Sequence, residues 1–180
     1  MKKNLYLIAL VPPQDICDEI RQMKEFIRQN FKAAHALKLP AHITVQQPFF
    51  VDELDESILL KSLHEVSLKT LPFFVRLKNF NWFPPRVIFV AVENKKPIAE
   101  FHQKLQWLLP DQLFQNPVQR QGSIHPHVTL ATRDLDAENF FLAKEYFQNQ
   151  HYEAVFEVKN FTLFKHDGKN WKVLKTYPLI

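Results

Sequence analysis

Glycine is almost missing from this 180-residue chain. There are two, Gly122 and Gly168, against a usual share near 7%. A glycine-rich phosphate loop of the Walker or Rossmann kind is thereby excluded, so any phosphate must be held by side chains or ordinary backbone amides. Cysteine is scarcer still: Cys17 stands alone, which excludes an internal disulfide and fits a reducing cytoplasm. Long apolar runs are also lacking. Leu5–Val11 follows Lys2-Lys3 and superficially resembles a signal peptide, but Pro12-Pro13-Gln14-Asp15 comes next instead of a small-residue cleavage site. Nothing approaches the ~20 apolar residues of a membrane span. Neither sign of charge dominates: 23 basic residues against 19 acidic give +4. That balance suits an anionic ligand and does not by itself indicate nucleic acid. The expectation is a soluble, cytoplasmic monomer without membrane contact, one domain with enough apolar content for a sizeable core.

The order of elements comes from periodicity. Asn4–Val11 reads as a buried strand stopped by Pro12-Pro13. Ile16, Ile20, Met23, Ile27 and Phe31 form the stripe of an amphipathic helix. A strand over Lys38–Val51, ending near Pro48, precedes a helix capped by Asp52 or Asp55. Phe73–Phe83 and Val87–Val92 read as strands around a Pro84-Pro85-Arg86 turn. Pro97 opens a helix, a polar stretch covers 111–123, and a helix capped by Asp134 or Asp136 runs through Phe147. Two strands, Tyr152–Lys165 and Asn170–Tyr177, close the chain around the Asp167-Gly168 hairpin signal. Lys78-Asn79-Phe80 with Phe83 is echoed by Lys159-Asn160-Phe161 with Phe164. The echo predicts an internal duplication, roughly 1–93 and 94–180, in a single domain of two lobes.

Two stretches carry the chemistry: Ala41-His42-Ile43-Thr44-Val45 and Pro126-His127-Val128-Thr129-Leu130. Residues i and i+2 of a strand share a face. Each stretch therefore offers one imidazole and one hydroxyl to a common surface, with apolar residues opposite. Eight histidines and six threonines are present; two such pairs would arise by shuffling in roughly 3% of chains. Two imidazoles can deprotonate a nucleophile on one side of phosphorus and protonate a leaving alkoxide on the other. The threonine hydroxyls can donate to the non-bridging oxygens. Sequence alone leaves the acid and base roles interchangeable.

Leu39-Pro40-Ala41-His42-Ile43-Thr44 and His125-Pro126-His127-Val128-Thr129-Leu130-Ala131 resemble the paired motifs of the 2H phosphoesterase superfamily, nearest its bacterial 2′-5′ RNA ligase and cyclic-phosphodiesterase-like branch. The resemblance implies an α+β, bilobal fold of two pseudo-symmetric antiparallel sheets with outer helices around a central cleft. It implies His42 and His127 as the catalytic pair, Thr44 and Thr129 as phosphate contacts, no metal and no cofactor. The implied substrate is RNA or a small nucleotide with a 2′,3′-cyclic phosphate or a 2′-5′ bond. Many relatives carry Arg five positions after the second His; here that residue is Thr132, and Arg133 follows.

Other residues are weighed against plainer readings. Arg86, Arg120 and Arg133 are candidate phosphate clamps, against the alternative of solvated charges. Phe49 is a candidate for the cleft rim, and Trp82 for base stacking, against core packing. His125 with His127 is a candidate metal pair in a competing hydrolase reading, weakened by Pro126 and the lack of a nearby Cys, Asp or Glu. His35, His64, His102, His151 and His166 read as surface residues. The remaining alternative is an idle nucleotide-binding module that keeps the cleft for recognition.

Overall fold

The computed structural model describes residues 2–114 and 124–180. Among them the chain forms β1 (Lys3–Leu10), α1 (Gln14–Phe31), β2 (Ile43–Asp52), α2 (Glu56–Leu68), β3 (Phe73–Phe83) and β4 (Val87–Val92). Then come α3 (Lys96–Leu108), β5 (His127–Ala131), α4 (Ala137–Phe147), β6 (Glu153–Val158), β7 (Asn160–His166) and β8 (Trp171–Pro178). The polar stretch expected over 111–123, with Arg120, lies mostly outside the described residues; Asp111–Leu113 forms a short 3-10 turn.

The fold is α+β. All strand pairs are antiparallel, in the order β6-β3-β4-β5-β2-β1-β7-β8. Two four-stranded halves meet at the centre, where Ile43 of β2 pairs with Val128 of β5. The echoed tripeptides sit in matching places: Lys78-Asn79-Phe80 is in β3 and Asn160-Phe161 in β7, each the third strand out from the centre. Sheet halves and chain halves do not coincide. β3 and β4 pair with β5 and β6, whereas β1 and β2 pair with β7 and β8.

One face of the sheet carries the helices and the main core. Ile8, Leu10, Ile43, Val45, Val90 and Val128 are all fully buried there. α1 delivers Ile16, Ile20, Ile27 and Phe31 to that layer, as its apolar stripe requires. On the opposite face Leu7, Ala9 and Phe164 form a smaller cluster, with Leu39 and Trp171 packed against it. The β7–β8 turn is held by the Asp167 carboxylate, which accepts from the amides of Lys169 and Asn170. Gly168 takes φ 96° in that turn, a backbone conformation that costs glycine no Cβ clash.

Two boundaries differ from the sequence reading. β2 runs through Pro48 to Asp52. The register shifts between the Tyr6–Phe49 and Ile8–Gln46 pairs, so Pro48 falls at an irregularity, where its missing N–H breaks no ladder bond. The expected strand Tyr152–Lys165 is two strands, interrupted at Lys159: β6 pairs with β3, and β7 with β1. No glycine or proline marks the crossover.

Because the two halves join through Ile43, fully buried, Ile43→Ala should cost about 2–5 kcal/mol. Leu54→Ala, at a residue 78% exposed, should change stability by less than about 0.5 kcal/mol. Urea denaturation of the two variants against wild type checks both.

Candidate active site

The Ile43–Val128 pairing fixes what stands beside it. In antiparallel register, one step either way sets His42 opposite Thr129 and Thr44 opposite His127. Ile43 and Val128 point to the helices, so the four polar side chains share the other face. Flanking strands extend the surface. Ala9 pairs with Thr44, Ala91 with His127, and Phe89 with Thr129. The two alanines put small side chains beside Thr44 and His127. The hydroxyls of Thr44 and Thr129 have no hydrogen-bond partner among the described residues.

Both imidazoles are held alike. His42 Nδ1 lies 2.9 Å from the Pro40 carbonyl and His127 Nδ1 lies 2.5 Å from the His125 carbonyl. A carbonyl only accepts, so each Nδ1 carries the proton and donates it. In the neutral ring Nε2 is then the free base. The surroundings differ. Burial pushes His42 down to about 4, helped by the nearby charges of Lys24 and His127 and opposed by the Pro40 bond. Burial also lowers His127, as does the charge of His125, against the bond to the His125 carbonyl. Around His127 the rings of Phe89 and Phe83 lie 4.8 and 5.4 Å away, centroid to centroid.

Other candidates are placed elsewhere. Phe49 is fully buried against Tyr6 and Phe114 on the helix side, so it does not form the cleft rim. Phe49 lies an even number of residues from Ile43 and Val45, so alternation along β2 puts its side chain on the core face with theirs. Trp82 lies on the helix side too, with Lys144 Nζ 4.9 Å over its ring. Its neighbour Phe83 is the ring that faces the histidines. β5 ends at Ala131, and Arg133 lies beyond it, exposed, with φ 56°. The charge of Arg133 acts on His35, not on the His42–His127 pair. Arg86 is exposed in the β3–β4 turn. His102 is not a surface residue: it is half-buried, with Nδ1 2.8 Å from the Val45 carbonyl. Among the described residues no group of three or more His, Cys, Asp or Glu is placed to hold a metal ion. None of the described helices is long and apolar enough to cross a membrane.

Residues 12–170 match the family model of the 2′-5′ RNA ligase superfamily. A curated relative from Oceanobacillus iheyensis, named "Putative phosphoesterase OB1230", is 26% identical over 181 residues and is covered to 97%, as is this chain. The fold is similar to that of TT0787 from Thermus thermophilus, with TM-score 0.71, 20% identity and 97% of each chain covered. It is also similar to E. coli LigT complexed with 3′-AMP, with TM-score 0.66, 17% identity and 99% of each chain covered.

Lowering the His42 pKa makes the fold sensitive to acid. The unfolded histidine titrates near 6.5 and the folded one at about 4, so between those values the unfolded chain binds more protons. This contribution is present above pH 6.5 and is lost as pH falls toward 4. Urea midpoints at pH 7 and pH 4.5 should show a smaller drop in His42→Gln than in wild type.

Proposed function

This chain belongs to the 2′-5′ RNA ligase superfamily, and from that premise we propose that it is a metal-independent phosphoesterase acting through His42 and His127. Its substrate is a 2′,3′-cyclic phosphate or a 2′-5′ phosphodiester in RNA or a small nucleotide. The observation that carries this reading is the matched pair of Nδ1–carbonyl bonds. They set two imidazoles in the same tautomer, with both Nε2 atoms free for proton transfer.

In hydrolysis, one neutral imidazole takes a proton from water at Nε2 while the water oxygen bonds to phosphorus. The other, protonated, donates from Nε2 to the ribose oxygen as its bond to phosphorus breaks. The negative charge shifts onto the non-bridging oxygens, where the hydroxyls of Thr44 and Thr129 donate. With a ribose 5′-hydroxyl in place of water, the same steps leave a 2′-5′ phosphodiester. Binding of 3′-AMP by E. coli LigT, of similar fold, supports a nucleoside monophosphate as a ligand this surface accommodates. Phe83, exposed beside His127, is the ring against which a base would stack.

Each proton-transfer role is typically worth about 10²–10⁴ in rate. With EDTA present, wild type should hydrolyse 2′,3′-cyclic nucleotides. His42→Ala and His127→Ala should each lose about 10²-fold or more in kcat/KM, whereas Thr44→Val and Thr129→Val should lose less. Retention of full activity in either histidine variant would sink the mechanism. Inert wild type, on these substrates and on 2′-5′-linked oligonucleotides, would sink the substrate reading.

A further inference from the structure

α1 places a lysine where its apolar stripe calls for a hydrophobic residue. Lys24 stands four residues after Ile20 and three before Ile27, and it is 3% exposed. A buried ammonium is costly unless its protons are satisfied. Here Nζ donates to the carbonyls of Ala36, at 2.9 Å, and Leu39, at 3.1 Å. Those residues belong to the turn around the 3-10 segment His35–Lys38 that leads directly into Pro40 and His42. The other end of the turn is also tied, because the Asp134 carboxylate accepts from the amides of Ala34 and His35. Pro40 supplies the carbonyl that holds the His42 ring. The chain of contact thus runs from Lys24, through the turn, to the Nδ1–H of His42.

We propose that Lys24 is a positioning residue for His42: it clamps the turn that seats this imidazole and sets a positive charge behind it and not behind His127. The two pseudo-equivalent histidines thereby take different proton-transfer roles. This inference rests on the two-histidine reading above. His42, buried and with a cation behind it, is held neutral and accepts the proton from the nucleophile. His127, among Phe83, Phe89 and His125, gives its proton to the leaving oxygen.

The groups around Lys24 fit that division. Cys17 and Arg21 act on it from its own helix. Asp18, on the same helix, and Lys38, on the turn, line the cavity of about 260 Å³ beside it. On the β2 side its charge acts on His42; His127 is the β5 group that acts on His42. The charge acting on His127 is that of His125. Burial brings Lys24 itself down to about 8, so the charge behind His42 is removable within an accessible pH range.

The experiment is an imidazole NMR titration of the full chain: wild type, Lys24→Met and the charge-keeping Lys24→Arg. In wild type, His42 should titrate below His127. Its signals should also show a second inflection near pH 8, as Lys24 loses its proton, with none at His127. In Lys24→Met the His42 midpoint should rise by about one pH unit and His127 should stay in place, while Lys24→Arg stays near wild type. The proposal is overturned if His42 titrates at or above His127 in wild type, or if its signals ignore the deprotonation of Lys24. It is equally overturned if Lys24→Met folds and leaves the His42 midpoint unmoved. The wild-type inflection decides the matter even where Lys24→Met does not fold. No substrate enters the titration, so its outcome stands apart from whether cyclic phosphates are turned over.

Discussion

Ile43 and Val128 face each other where two four-stranded half-sheets become one, and the geometry of the polar face follows from that pairing. Antiparallel register around this pair brings together residues 85 positions apart in the chain, His42 and His127. Because both apolar partners turn toward the helices, both histidines and both threonines must turn away from them. A one-residue slip would send His42 and Thr44 into the core and bring Ile43 out. The burial of Ile43 and Val128 and the exposure of the polar face are therefore one constraint.

Matching motifs do not make matching environments. Each imidazole is oriented by the carbonyl two residues before it, so the backbone repeats the same device on both sides of the seam. What differs is the second layer of contacts. Behind His42 stand the Lys24 ammonium and a doubly tied turn. Beside His127 stand two aromatic rings. Acid–base chemistry at phosphorus needs one imidazole neutral and one protonated at the same moment, and a symmetric pair would spend half its encounters in the wrong arrangement. Unequal surroundings on an equal frame relieve that difficulty.

Much of this was legible in the sequence because it depends on local rules. β3, β4 and their proline turn lie where alternation and Pro84-Pro85 put them, and the His-x-Thr spacing shows which side chains share a face. What the sequence could not show depends on partners far along the chain. Which of Trp82 and Phe83 faces the histidines depends on the β3–β4 register, where Asn79 takes φ 55°. The division of 152–165 into β6 and β7 has no local signal, since Lys159 is the sole break in a strand-favouring run. Lys24 did leave a mark, a charge on the apolar stripe of α1, but the carbonyls that satisfy it come from the folded turn.

The central claim is that two imidazoles act together, one as base and one as acid. The most direct test is the pH dependence of kcat/KM for a 2′,3′-cyclic nucleotide, which reports the free enzyme. His42 is held at about 4 and His127 below the ordinary imidazole value. The account therefore predicts a bell whose maximum lies below pH 6.5, falling on the acid side as His42 gains a proton and on the alkaline side as His127 loses one. A profile that rises to a plateau and holds it above pH 8 would contradict the account, because it would leave a base at work and no acid.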